Sequence, residues 1–473
     1  MRIFSALLTA SLLSGLGFAQ SDPHQLARDI LKELIEINTT DTPQGSVTKA
    51  AEAMAQRFRA AGFPDSDIHL LGPSERPDKT NLVVRYRGTG AGKPLLIIGH
   101  LDVVQALPSD WTTNPFQLIE KDGYFYGRGT EDMKGDDAIV VTELLRFKQE
   151  GYKPERDLIV ALTADEEGGK ANGVDWLLKN HRDLVDAEYV LNPDGGGPVL
   201  KAGKPLLVEL TASEKAYADY KLTISNSGGH SSRPTSDNAI YHLTGALERL
   251  HNFEFPFELN AVTKVMFDRM ATLESGQVAA DLKAISQTKP DAAAVEHLSQ
   301  DPSMNAKMRT TCVPTMLKAG HANNALPQTA TANVNCRIFP GHTREQIRQQ
   351  LIQIFKDPHV TVEYVADNGA TGPHAPDTGS MPPPPIRADL LSALEKVSAK
   401  YYPGGPVVPA MDAGASDDIY TNAAGLPSYE VSAIAIDDND DRAHGKDERI
   451  RVAEFDKGVD FYYDLLKAIT SSH

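Results

Sequence analysis

Apolar residues recur at every third or fourth position along residues 27–37 and 47–61, and this spacing predicts two amphipathic helices. Short aliphatic and β-branched runs follow at 81–86 and 94–98, bounded by glycine and proline, and predict buried strands. The alternation continues with helix over 136–149, strand over 157–162, helix over 173–179 and strand over 187–191. Strands that alternate with helices predict an α/β layered fold with a mostly parallel central sheet. In such a sheet functional side chains gather just beyond the carboxyl ends of the strands.

From about residue 215 the order changes. Strand 220–225, helix 238–251, strands 310–318 and 330–339, helix 344–355 and strand 359–364 give a βαββαβ pattern, read as a small α+β domain inserted into the larger one. Its first helix is followed by a polar helical insert, 252–307, with no interpretable motif. After the proline-rich stretch 381–385, helix 388–402, strands 407–411 and 428–435 and a last amphipathic helix, 452–469, complete the first domain. The expected division is a catalytic domain in two parts, 20–214 and 368–473, around an inserted domain, 215–367. Residues 1–19 stand apart. Arg2, an apolar run over 3–18 and small residues around Phe18 read as an export signal cut near Ala19, since a membrane span needs ~20 apolar residues and this run is shorter. The expectation is a periplasmic or secreted protein with no membrane attachment after cleavage.

Charge narrows the partners. Forty-seven basic residues against 64 acidic ones leave −17, which argues against nucleic acid or an anionic membrane surface and leaves small ligands. With 473 residues, 41% of them hydrophobic, the chain can fill more than one core. Two cysteines cannot build a cysteine-rich zinc site, so any metal must be held by histidine and carboxylate. The same two have a geometric reading. If strands 310–318 and 330–339 pair as antiparallel neighbours centred on Asn324, residues whose numbers sum to 648 face one another, and Cys312 and Cys336 are such a pair. A disulfide is then within reach in an oxidising compartment; a register shifted by a residue would leave two buried thiols instead.

The glycine loop 88–93 is followed by Pro94 where a phosphate loop needs Ser or Thr, so it is read as a turn between strands. Neither HExxH nor GxSxG occurs. What remains is a series of acids and histidines at strand ends. His100 lies just past a strand with Asp102 two residues on, either as a metal ligand and its hydrogen-bonding partner or as an ordinary loop pair. Glu131 and Asp132 precede an apolar helix, where helix capping would suffice to explain an acid. Asp165, Glu166 and Glu167 follow a strand directly; a solvated acidic turn is the plain alternative, but three adjacent carboxylates repel unless a cation or proton neutralises them. Asp194 follows a fourth strand, and His444 sits in a late loop. Together His, Asp, Glu, Asp and His at one sheet edge make the donor set of a two-metal hydrolase, suited to Zn²⁺, Co²⁺ or Mn²⁺.

In order and surroundings these motifs resemble the M20 family of metallopeptidases and amidohydrolases, relatives of glutamate carboxypeptidase, carnosine dipeptidases and aminoacylases. The phrases that carry the resemblance are GHLDVV, YGRGTEDMKG, TADEEGG and GGHSSRP, and it runs over nearly the whole chain after the signal. It implies a zinc-exopeptidase-like α/β catalytic domain interrupted by a lid and dimerisation domain. It implies two divalent ions per subunit, zinc first, with cobalt or manganese as options: His100 and Asp194 on one, Glu167 and His444 on the other, Asp132 bridging both and Asp102 behind His100. Glu166 would be the general base, and His230 would polarise the scissile carbonyl. Asn324 and Arg337 resemble groups that bind the substrate carboxylate or backbone, and Gly414 with Ser416 resembles a glycine-rich substrate loop. The resemblance further implies a cis peptide after Asp132 and a two-fold homodimer made by the lids, for which strand 220–225 is taken as the free edge. Asp194 stands where many carboxypeptidases and acylases of the family carry Glu, which tilts the expected substrate toward dipeptides and other short peptides with a free carboxylate. An N-acyl amino acid amidohydrolase is the alternative enzyme, and a peptide-binding homologue without catalysis the alternative of another kind.

Overall fold

Leu95–His100 and Leu158–Thr163 are buried at every position, as uninterrupted aliphatic runs are when both faces of a sheet are covered. The computed structural model, which describes residues 22–168, 170–366, 369–376 and 381–471, sets them side by side and parallel, Leu95 opposite Leu158 through His100 opposite Thr163. Tyr189–Asn192 continues beside Leu95–His100, and Ser428–Glu430 beside Tyr189–Asn192, again parallel. These four neighbours form the middle of a ten-stranded sheet. Asn81–Tyr86 runs antiparallel to Leu158–Thr163 on one side, and Lys204–Glu214 antiparallel to Ser428–Glu430 on the other. The sheet is therefore mixed, where a mostly parallel one was expected. An apolar run specifies burial, not direction, because an antiparallel strand covered on both faces carries the same pattern. Helix Lys134–Glu150 is buried along most of its length, against the sheet and against helices Pro23–Glu36 and Val452–Thr470.

A second, five-stranded antiparallel sheet has the order Thr311–Ala319, Thr329–Ile338, Ala216–Ser225, Thr361–Val365, Thr371–Gly372. Alternate residues of Ala216–Ser225 point into a core with helices Ala239–His251 and Arg344–Phe355. This strand was taken from the sequence as the free edge; it lies in the middle. Central and edge strands of a one-sided sheet share the same alternation, so the pattern could not separate them. The edges are the two-residue Thr371–Gly372 and the longer Thr311–Ala319, where Val313, Met316 and Leu317 are exposed.

The insert folds as four helices, Ala261–Leu273, Gly276–Ile285, Ala292–Leu298 and Pro302–Met308. Its apolar side chains, among them Met266, Phe267, Leu282 and Met308, close over Val408 and Ala410 of strand Val407–Asp412. That strand pairs with the larger sheet. A stretch assigned to the inserted domain thus packs on the other one, because an amphipathic helix does not name its partner. The export signal at 1–19 and the division point at 367 lie outside the described residues. Among the described residues no helix is long and apolar enough to cross a membrane.

Cys312 faces Cys336, and the two are joined as a disulfide. The sum of 648 holds from Thr311 opposite Arg337 to Pro314 opposite Val334, after which an irregularity shifts the register by one. Denatured, unreduced protein should therefore titrate with no free thiol, whereas two per chain would show that the bridge does not form.

Candidate active site

The four parallel strands end on one edge of the sheet, and each end supplies acid or imidazole. His100 closes the first, Glu166 and Glu167 follow the second, Asp194 follows the third and Glu430 closes the fourth. Asp132 joins them from the turn before helix Lys134–Glu150, and the Asp132–Met133 peptide is cis. The two oxygens of Asp132 point to different histidines: Oδ1 lies 3.0 Å from His100 Nε2 and Oδ2 lies 2.9 Å from His444 Nε2. Asp194 Oδ1 is 3.3 Å from His100 Nε2, and Glu167 Oε1 is 2.9 Å from His444 Nε2. Two triads share Asp132, His100–Asp132–Asp194 and Asp132–Glu167–His444, each with donor atoms within 4.8 Å of one another, and His100, Glu166 and Glu167 form a further such group.

This arrangement fits a pair of divalent ions. Hard carboxylate oxygens and imidazole nitrogens converge, and one carboxylate offers an oxygen to each side. The electrostatics agree. Burial alone would push the His100 imidazole down, but Asp194 and Asp132 hold it well above its ordinary value. Bonds to Asp132 and Glu167 push His444 up to about 10. Burial raises Asp194 to about 6 and Glu166 well above the carboxylate range. The field that favours positive charge on both rings is one that attracts cations.

Several side chains hold the donors without being donors. Asp102 was expected to receive the second ring nitrogen of His100 on its carboxylate. His100 Nδ1 instead meets the Asp102 main-chain carbonyl at 3.0 Å, and the carboxylate lies 3.9 Å away. The Asp102 carboxylate accepts the main-chain N–H of Glu166 at 3.2 Å and of Glu167 at 3.1 Å, so it shapes the loop that presents both. Glu448, given no role in the sequence reading, does the same for the bridge. It is fully buried, accepts from the N–H groups of Gly129, Glu131 and Asp132 at 2.8–3.1 Å, and is paired with Arg128. Arg128 in turn donates to the carbonyls of His444 and Gly445, so one ion pair fixes both the bridging acid and the last histidine. Asp165, the first of the three adjacent acids, is neutralised locally by the buried Lys79 at 2.6 Å. Nothing in the spacing of Arg128, Glu448 or Lys79 marks them, because their partners lie far along the chain.

A cavity of about 650 Å³ opens over the donors. Arg337, Gly414 and Ser416 line it, together with Tyr217, Glu214, Asp412 and Glu430, which the sequence reading did not single out. Arg337 stacks over the Tyr217 ring at 4.9 Å. Ser416 is tied to Glu214 and Glu430 by its hydroxyl, at 3.0 and 2.7 Å. His230 and Asn324 are not in this cavity. They share an exposed tip, where Gly229–His230 pairs with Ala325–Leu326, and His230 Nδ1 contacts the Ser232 hydroxyl at 2.7 Å.

A sheet edge of this kind, with two overlapping histidine–carboxylate triads under a cavity, defines a metal-dependent hydrolase of the α/β class. The chain belongs to peptidase family M20/M25/M40, whose profile matches residues 96–468. It is 28% identical over 398 residues to "Probable carboxypeptidase S-like 2" of Dictyostelium discoideum, covering 82% of this chain and 74% of that one. It is 29% identical over 386 residues to "N-fatty-acyl-amino acid synthase/hydrolase PM20D1" of Xenopus tropicalis, covering 79% and 72%. In fold it is similar to the M20 family metallo-carboxypeptidase Sso-CP2 of Sulfolobus solfataricus, with a TM-score of 0.70 at 16% identity over 94% of this chain and 99% of that one. Human carnosine dipeptidase 1 gives 0.63 at 14% identity over 94% and 96%.

Two substitutions separate holding metal from doing chemistry. Asp132→Ala should lose the metal held by the two triads together with activity, since one carboxylate serves both. Glu166→Gln should keep its metal content while kcat falls at least ~10²–10⁴-fold. Metal analysis beside steady-state kinetics on both variants checks the pair.

Proposed function

We propose that the chain is an exported dipeptidase or carboxypeptidase that hydrolyses the amide bond of dipeptides and short peptides bearing a free carboxylate, with two divalent ions, zinc first. The observation that carries this reading is the wall of one cavity, which holds the Asp132-centred donors, the Arg337 guanidinium and the Glu430 carboxylate together. A guanidinium fork suits a substrate carboxylate. Glu430 is 2% exposed and its Oε2 has no hydrogen-bond partner; with Asp412 in the same wall, that end suits a substrate amino group.

When bound, a divalent pair would supply positive charge to the amide oxygen and to the attacking water. Glu166, in the cavity wall beside the donors, would take a proton from that water and return it to the leaving amine. Asp102 would keep Glu166 aimed through the main chain. His230 would polarise the carbonyl, and since it lies outside this cavity its role calls for movement of the tip or for a second copy of the chain.

Similarity to the fatty-acyl hydrolases favours a second reading, an N-acyl amino acid amidohydrolase. The polar and acidic wall weighs against a long acyl chain. A panel of dipeptides and N-acyl amino acids, tested on metal-loaded protein, should show release of free amino acid from dipeptides at kcat/KM at least tenfold above the acyl series. The reverse order would transfer the assignment to the amidohydrolase.

Export is supported by the N-terminal apolar run and by the disulfide. Homodimerisation, with the exposed Thr311–Ala319 edge as its seam, is supported by Met316, which is 71% exposed beside Leu317. Light scattering should give twice the chain mass for the wild type and one chain mass for Met316→Lys; a monomeric wild type would end the dimer proposal.

A further inference from the structure

The inserted unit brings together a further group of histidine and aspartate side chains, none of which lines the cavity. Asp237 lies just before helix Ala239–His251, His242 in its first turn, and His359 in the loop after helix Arg344–Phe355. Asp357 joins the two rings: Oδ2 accepts from His242 Nδ1 at 2.7 Å and Oδ1 from His359 Nδ1 at 3.0 Å. Burial would raise the Asp357 carboxyl, but the bonds from His242 and His359 bring it down to about 2. An ionised carboxylate only accepts, so both rings carry a proton on Nδ1, and in the neutral rings Nε2 is left as the lone-pair donor. This is the relation in which a carboxylate orients metal-binding imidazoles.

The open nitrogens have somewhere to point. The two rings lie 4.3 Å apart, 35° between planes. His242 Nε2 is buried, has no hydrogen-bond partner, and stands 3.4 Å from Asp237 Oδ1. One donor atom from each of Asp237, His242 and His359 lies within 4.8 Å of the other two. Ligand atoms held tetrahedrally at ~2.0–2.1 Å from zinc stand ~3.3 Å apart, a spacing the Asp237–His242 pair already meets. His359 is half exposed and has freedom to close the third side.

We propose that Asp237, His242 and His359 form a separate surface site for a borderline dication, Zn²⁺ or its neighbours, with Asp357 orienting both imidazoles. Asp237 ends the segment that begins at Gly229–His230, so an ion here would fasten that segment to both helices of the inserted unit. The competing account of the same contacts is an ion pair between protonated His242 and its two acids, with no metal.

Zinc counting decides between them. Full-length protein equilibrated with micromolar free Zn²⁺ should carry one zinc per chain more than His359→Ala and than His242→Gln. In Asp132→Ala one zinc should remain, and it should be lost when His359→Ala is added. Amide exchange over residues 229–237 should slow when that last zinc binds, in the wild type and not in His359→Ala. Equal zinc in the wild type and in both histidine variants would overturn the site and leave the ion pair.

Discussion

Asp132, Glu166, Glu167 and Asp194 meet in one cavity wall, and their mutual repulsion is the constraint around which the molecule is organised. Two unit charges 4 Å apart cost ~4 kcal/mol at an effective dielectric of 20. No loop left to itself would hold such a group together. Each acid is therefore mounted next to something that cannot yield: the end of a buried parallel strand, the turn that leads into a buried helix, or a loop whose N–H groups are already committed to another carboxylate. The positive partners Arg128 and Lys79 neutralise the supporting acids Glu448 and Asp165, and among the described residues the donors themselves are paired with no cationic side chain other than His100 and His444.

What was legible in the sequence divides along physical lines. His100, Glu166, Glu167 and Asp194 could be read because a buried strand announces itself as an apolar run, and the residue after such a run has a known place in the fold. Register was legible for Cys312 and Cys336 because a short connection between two strands constrains the pairing. Strand direction and strand order were not. Ala216–Ser225 alternates as an edge strand would, yet it is flanked on both sides. Glu448 was given no role for another reason: Arg128, its one side-chain partner described above, lies 320 residues away, and its other contacts are to main-chain N–H groups 316–319 residues away, which have no letter in the sequence. Asp102 was seen but given the wrong partner, since a spacing of two places a side chain near its neighbour without saying which of its own atoms does the bonding.

The cavity also divides its labour between two sheets. The donor atoms, Glu430 and Ser416 come from the larger sheet and its loops, whereas Tyr217 and Arg337 belong to facing strands of the smaller one. A ligand bound by Arg337 at one end and by the donor cluster at the other would bridge two separately packed cores. Binding and relative placement of the two units are thereby thermodynamically linked: whatever favours one arrangement of the cores favours the ligand that spans it.

The distribution of the donors along the chain carries a consequence for synthesis. His100, Asp132, Glu167 and Asp194 fall in the first half, but His444 and the Glu448 that pins Asp132 come within the last tenth of the 473 residues. Strand Ser428–Glu430, which completes the parallel centre of the sheet, is also late. A ribosome-bound chain can have most of its length outside the exit tunnel and still possess only one of the two triads. The second triad is thus withheld until residues 444 and 448 have left the tunnel, so the two halves of the donor set are completed at widely separated moments of synthesis.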